Sequence, residues 1–238
     1  MKRVLKISVR SGRIFLLWYI TMIFESRQAA GKMLAKKLFE YKSNNEMCVM
    51  AIPRGGVVTG AEIAEQLNLP LEAISIKKLG APFNPELAIG AVAQNNTKYI
   101  DRDLIAKLAV TEEYLERETE EKMKEVEERV FKYKINLNSL TKHAKFILTD
   151  DGIATGATVR AALTFIQNLS KLTGVKRWAI LAIPVAAKDT AALFKNEADK
   201  IIILHESEDF GAVGQFYRNF SQVEDEEVIN ILEKYRRK

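Results

Sequence analysis

The sequence is poor in the side chains that cross-link chains or hold metals: it has one cysteine and two histidines among 238 residues. Cys48 lies inside the apolar run 47–52, so neither a disulfide framework nor a CxxC metal site can form, and the setting this implies is the cytosol. His143 and His205 have no partner at a spacing that suggests a metal site or a nucleophilic triad, and no GxSxG elbow occurs. There is no GxxxxGK[ST], and no GxGxxG at a strand-to-helix junction, which excludes P-loop and Rossmann nucleotide sites. Internal repeats and low-complexity segments are absent as well.

Charge of one sign is scarce outside the first residues. The formal net charge is +5, and Lys2, Arg3, Lys6, Arg10 and Arg13 account for all of it, leaving the rest of the chain neutral. A nucleic-acid footprint requires a basic patch on the folded domain, so no nucleic-acid partner is expected. Residues 14–24, IFLLWYITMIF, are too few to span a bilayer, and no small-residue cleavage site precedes Glu25 and Arg27, so no membrane partner is expected either. Three readings of this leader stay open: an upstream start before a natural start at Met22, an added packing element, or a membrane-surface or export segment. Residues 1–21 are accordingly set apart from a single domain over 22–238.

With 47% hydrophobic residues, that domain can bury a full core. Helical spacing over 26–41 places Ala30, Leu34, Leu38 and Tyr41 on one face. Strands are predicted at 47–52, 71–77, 146–149, 178–185 and 201–204, with helices at 57–67 and 159–169. Residues 88–93 and 98–100 flank Gln94-Asn95-Asn96-Thr97 as an antiparallel excursion. Strand and helix in alternation predict an α/β fold, a parallel sheet flanked by helices. An acidic helix over 111–133 interrupts it, within an insert at about 103–140. It carries the stripe Leu115, Thr119, Met123, Val126, Val130 and Tyr133, and i,i+4 pairs Glu113/Arg117, Glu118/Lys122, Glu120/Lys124 and Glu125/Arg129. It reads as a solvated helix packing through one stripe, or else as a dimer contact or a lid.

The most informative stretch is FILTDDGIATGAT, residues 146–158. A buried strand runs into paired aspartates and then into a loop of small residues that opens a helix. Gly156 permits the dihedrals that turn successive N–H groups inward, Ala154 and Ala157 allow close approach, Thr155 and Thr158 supply hydroxyls, and the helix N-terminus favours an anion. Asp150 and Asp151 would repel that phosphate but suit the vicinal hydroxyls of a sugar, which carboxylates accept as hydrogen bonds. A second anion site is offered by Arg54-Gly55-Gly56 after the strand at 47–52: a planar cationic fork, followed by glycines that tolerate unusual dihedrals and expose N–H groups at a helix start. The alternatives are ordinary turn chemistry after a strand and a plain glycine turn.

These thirteen residues resemble the 5-phosphoribosyl 1-pyrophosphate (PRPP) motif of type I phosphoribosyltransferases. FESRQAAGKMLAKKL, AIPRGGVVTGAEIAEQL, KKLGAPFNPELAIGAVA, ILTDDGIATGATVRAAL and FGAVGQFYRNFSQVEDEEV extend the likeness from about residue 24 onward, to a subgroup of bacterial and archaeal members whose acceptor base is not settled. The resemblance implies a type I phosphoribosyltransferase-like fold with the acidic helix as an insert and a hood at about 205–238. It implies PRPP on Asp150, Asp151 and residues 154–158, and pyrophosphate on Arg54, Gly55 and Gly56. The long connection 77–90 corresponds to the family's flexible loop, which makes Lys78, with Lys77, the cations for the leaving pyrophosphate. Adenine-type relatives draw a carboxylate from that loop, which points to Glu86 as proton acceptor. Ala154 stands where some relatives have an aspartate. Phe210, Phe216, Tyr217 and Phe220 could offer a stacking face, or be plain packing. A faint likeness to the hood of 6-oxopurine enzymes singles out Phe210 for stacking and Lys188 for a base carbonyl.

The implied activity is transfer of a phosphoribosyl group to a nitrogenous base, with Mg2+ carried mainly by PRPP and no protein metal ligand assigned. A role in nucleotide salvage, with a purine acceptor, is the form it would take. Enzymes of this size and class are often homodimers. Two other readings keep the pocket without this chemistry: a PRPP- or nucleotide-sensing regulator that binds nucleic acid, and a PRPP-binding protein without turnover.

Overall fold

Five parallel strands organise the protein in this computed structural model, which describes residues 2–10, 13–21 and 23–236, with side chains from residue 23 onward. The leader forms β1 (Lys2–Arg10) and β2 (Arg13–Thr21), paired antiparallel as a sheet of their own. Met22, the natural start in one of the three readings of the leader, lies outside the described residues. The first helix, α1 (Arg27–Lys37), starts at Ser26, whose hydroxyl accepts from the Ala29 N–H and so satisfies one of the helix's free donors. It yields at Leu38 to a 3-10 turn, Phe39–Tyr41, earlier than the pattern over 26–41 suggested. Next come β3 (Met47–Ala51), α2 (Gly55–Leu67) and β4 (Leu71–Ala73); Asn68 ends α2 in the left-handed region, which asparagine tolerates.

The predicted strand at 71–77 is broken in two, because Ser75 is held by Gln94 and Val126, both outside the parallel sheet. Its N–H donates to the Gln94 side chain at 2.9 Å, its carbonyl accepts from the Gln94 N–H at 3.2 Å, and its hydroxyl donates to the Val126 carbonyl at 3.1 Å. From there β5 (Ile76–Ala81), β6 (Asn84–Ala93) and β7 (Thr97–Ile100) make a three-stranded antiparallel sheet. The excursion expected from 88–100 is present, but the irregular connection expected over 77–90 is a hairpin. Pro82 sits in its turn and Pro85 near the start of β6, where ladder donors are least needed, and Gly80 marks a register shift; a Cβ there would stand 2.8 Å from the Pro85 carbonyl oxygen.

Helices α3 (Arg102–Lys107) and α4 (Glu112–Lys132) cover one face of this hairpin. Leu115 and Val126 of α4 pack with Leu79, Ala81, Ile89 and Val92, so the stripe read from the sequence is a packing face. Its four expected i,i+4 pairs are absent among the described residues. Lys122 instead bonds Glu125 at 2.5 Å and Glu121 at 3.3 Å, and Glu125 also takes Lys77 of β5, a cation that the helix alone could not supply. The chain returns through α5 (Leu137–Thr141) to β8 (Lys145–Thr149), α6 (Ala157–Thr173), β9 (Trp178–Ala187), α7 (Lys188–Leu193), β10 (Lys200–Ser207) and α8 (Asp225–Arg236).

The parallel sheet has the order β10-β9-β8-β3-β4. Side chains alternate across it: Met47, Val49 and Ala51 join the core under α1, α2 and α8, whereas Cys48 and Met50 join Phe146 and Leu148 under α6. Both faces are therefore apolar, and the strands read as continuous hydrophobic runs. Leu148 is fully buried two residues before Asp150, and Leu172 on α6 is 61% exposed. Leu148→Ala should cost about 2–5 kcal/mol in urea unfolding, and Leu172→Ala should stay within about 0.5 kcal/mol of the parent.

Candidate functional site

Adjacent register brings two turns together. Ala51 of β3 pairs with Thr149 of β8, so residues 52–56 and 150–156 leave the sheet side by side at its carboxyl edge. From β3 the chain goes to β4 on one side and later to β8 on the other, and a crevice opens at such a reversal. Here it is a cavity of about 530 Å³, lined by both turns, by Arg27 of α1, by Lys78 of β5 and by Val213, Phe220, Gln222 and Val223 ahead of α8. The volume falls in the range usual for small-molecule sites.

The two turns touch. A Cβ at Gly55 would lie 1.9 Å from Asp151 Oδ2, and one at Gly56 would lie 2.8 Å from the Asp150 Cα. Among the described residues only Gly156 and Gly174 are glycines at positive φ. Gly55 and Gly56 thus serve close approach, and the unusual dihedrals expected of them are not used: both lie in the first turn of α2.

The aspartates are braced from several sides. Arg27 Nε donates to Asp151 Oδ2 at 2.7 Å, and Tyr217 Oη donates to the Asp151 carbonyl oxygen at 2.6 Å. Asp150 Oδ1 accepts from the Asp151 N–H at 2.8 Å. The loop beyond them is pinned by the Ile153 N–H on the Val185 carbonyl, the Ala187 N–H on the Ile153 carbonyl, and Thr190 Oγ1 on the Ala154 carbonyl. Gly156, at φ +80°, caps α6 in the left-handed region; a Cβ there would also meet the Phe194 ring at 2.7 Å. Ala154, Thr155, Gly156 and Thr158 line the cavity, while Ala157 is buried in the core beneath it.

Burial, and then the neighbouring Asp151 charge, push the Asp150 carboxyl well above the ordinary carboxylate range, against the Asp151 N–H and Lys78. Burial raises Asp151 too, opposed by Arg27. Both carboxyls still present surface to the cavity, so their enclosure is by its walls and not by the core. A folded carboxyl with a raised pKa binds its proton more readily than the unfolded chain does. Its contribution to stability is full below the unfolded carboxyl range and is lost as pH rises through its folded value.

The remaining expected residues are distributed as follows. Arg54 lines the cavity, with its guanidinium 3.9 Å from Glu224 and 3.8 Å from Asp225. Lys78 faces the cavity, whereas Lys77, on the opposite side of β5, is ion-paired with Glu125. Glu86 is exposed on β6 and outside the lining. Lys188 bonds Glu208 at 2.6 Å and Phe210 packs on Phe216 with ring centroids 5.1 Å apart, both away from the lining. Sequence reasoning missed Arg27 as part of this site, and it offered Tyr217 and Phe220 only within a stacking face or plain packing, whereas Phe220 lines the cavity and Tyr217 braces the Asp151 backbone. The available signal for Arg27 was a cation in the first turn of a helix, where the dipole disfavours it.

Sheet order, crevice and loop together define an α/β fold of the type I phosphoribosyltransferase kind. Residues 21–220 match the family model described as a phosphoribosyl transferase domain, and the chain belongs to that family. It is 32% identical over 216 residues to Rv0571c of Mycobacterium tuberculosis H37Rv, whose phosphoribosyl transferase designation is provisional; the match covers 90% of this chain and 47% of that one. The chain thus spans about half the length of the curated relatives it matches. The crystal structure of TT1426 from Thermus thermophilus is similar with a TM-score of 0.70 at 32% identity, covering 90% of this chain and 99% of that one.

Because ionised Asp150 and Asp151 repel in a buried site, Asp150→Asn should stabilise the ligand-free protein at pH 8 more than at pH 4. Thermal unfolding across that range checks this, and an equal shift at both values contradicts it.

Proposed function

We propose that this protein transfers the phosphoribosyl group of PRPP to a nitrogenous base and releases pyrophosphate, in nucleotide salvage. One observation carries the proposal: a carboxylate pair, a small-residue loop at a helix N-terminus and an arginine-glycine turn share one cavity with Lys78. In this reading the 5-phosphate sits on the N–H groups and hydroxyls of residues 154–158, and the ribose diol donates to Asp150 and Asp151. The pyrophosphate lies toward Arg54, Gly55 and Gly56.

Transfer breaks the bond between C1 of the ribose and the pyrophosphate oxygen and forms one from C1 to a ring nitrogen of the base. Negative charge grows on the leaving pyrophosphate, and the Lys78 ammonium and the Arg54 fork are the cations of this chain that meet it. Mg2+ enters as part of the Mg2+–PRPP substrate, held by its phosphate oxygens and by water, chemistry that neutralises the leaving group. Among the described residues there is no cluster of three or more His, Cys, Asp or Glu that could hold a metal ion.

Lys77, Glu86, Phe210 and Lys188 have no part in the ligand-free cavity, so the reading rests on Lys78 for catalysis. In this reading the hairpin of β5 and β6 takes the place of the family's mobile loop, and Phe83 at its tip is fully exposed. The protein, Mg2+–PRPP and a panel of purine and pyrimidine bases should release pyrophosphate with at least one base. Lys78→Ala should lower kcat by about 10²–10³-fold with PRPP affinity changed far less. Turnover with no base, despite PRPP binding, contradicts the transferase assignment.

A further inference from the structure

Arg27 occupies an unfavourable place for a cation, and this asks for a cause. It opens α1, where the helix dipole opposes positive charge, and it is only 8% exposed. Three contacts hold it there. Its Nε donates to Asp151 Oδ2 at 2.7 Å, its Nη1 donates to the Ser221 carbonyl oxygen at 2.8 Å, and its guanidinium lies 3.8 Å above the centre of the Phe220 ring. These partners are 124 and 194 residues away along the chain, so the contacts are tertiary by construction. The arginine-glycine turn closes on the same spot: a Cβ at Gly55 would come within 2.7 Å of Arg27 Nε. One guanidinium therefore joins the aspartate turn, the glycine turn and the segment leading into α8.

We propose that Arg27 is a positioning residue of this site: it fixes the Asp151 carboxylate for the sugar diol and ties residues 220–223 into the cavity wall. The inference rests on the function proposed above. Arg27 occupies one carboxylate oxygen and leaves Oδ1 to accept from a hydroxyl, since a carboxylate has about four acceptor positions. The planar fork is what allows one side chain to serve Asp151 and Ser221 together, and a lysine ammonium has no such geometry. Hence Arg27 would not touch the reacting atoms; it would act through Asp151 and through the wall.

The charge environment agrees with this division of labour. The groups facing Asp151 are Arg27 from α1, Asp150 from its own turn and the Tyr217 phenol from the segment after β10. Lys78 from β5 faces Asp150, and Arg54 lines the same cavity beside Glu224 and Asp225. Arg27 is the direct ion-pair partner of Asp151, and it opposes the effect of burial there; Asp150 has no such partner at contact distance among the described residues. Removing the guanidinium leaves Asp151 buried against a second carboxylate, and its proton should then be held to higher pH.

Carbon-13 NMR titration of the aspartate carboxyls in the ligand-free protein, assigned with Asp150→Asn and Asp151→Asn, tests this without substrate. In the wild type Asp151 should titrate below Asp150. In Arg27→Met its midpoint should rise by about 1–3 pH units, whereas Arg27→Lys should keep it near the wild-type value. Calorimetry with Mg2+–PRPP adds the functional side: Arg27→Met should bind about tenfold or more weakly at pH 7, with the deficit narrowing as pH rises, and Arg27→Lys should recover part of the affinity. An Asp151 midpoint at or above that of Asp150 in the wild type overturns the proposal, and so does a midpoint unmoved in Arg27→Met or a loss of affinity independent of pH. The wild-type titration decides even where a variant does not fold. Failure of the wild type to bind PRPP contradicts the proposed function itself; wild-type binding with Asp151 unmoved in Arg27→Met contradicts only the role of Arg27.

Discussion

The contact between the turns that follow β3 and β8 is the constraint from which the site is built. Gly55 leaves no room for a side chain against Asp151, and Gly56 leaves none against the Asp150 backbone. That contact places two acidic side chains, a cationic fork and two helix N-termini around one cavity, although each turn is ordinary by itself. Burying two carboxylates side by side is unfavourable, and the surroundings answer in kind. Arg27 meets one carboxylate, an N–H of the same turn meets the other, and Lys78 faces the pair across the cavity. A ligand that donates hydroxyl hydrogens and carries phosphates on both sides of the diol would complete the balance left open in the free protein.

Much of the fold was legible because it depends on local or periodic signals. Continuous apolar runs at 47–52, 146–149 and 178–185 belong to strands covered on both faces, and the structure has them in one parallel sheet. The aspartate-to-threonine loop was legible for a similar reason: Gly156 and the helix that follows are local signals, although the loop is also pinned by Val185, Ala187 and Thr190. The 77–90 segment was misread because two prolines and a glycine signal irregular chain, whereas Pro82 falls in the turn of a hairpin, Pro85 just after it and Gly80 at a register shift, so the strands pair around them. Once the strand is known, alternation separates Lys77 from Lys78; before that, the two are equivalent.

Pairings across long stretches of chain left no trace in spacing. Arg27 with Asp151, Lys77 with Glu125 and Tyr217 with the Asp151 carbonyl all depend on how elements pack. The Glu125/Arg129 pair expected on α4 is replaced for the same reason, since a tertiary lysine competes for Glu125. Aromatic residues after β10 posed a further ambiguity. Phe210 and Phe220 look alike in sequence, yet Phe210 packs on Phe216, and Phe220 reaches the cavity wall under the Arg27 guanidinium and beside Tyr217.

The curated relatives extend beyond the region they share with this chain, and the family tie concerns that shared region. Within it, the most direct measurement is a crystal structure of the protein with ribose 5-phosphate. The account predicts the sugar hydroxyls on the Asp150 and Asp151 carboxylates and the phosphate on the N–H groups of residues 154–158. A phosphate bound elsewhere, or a sugar whose hydroxyls make no contact with either aspartate, would contradict it.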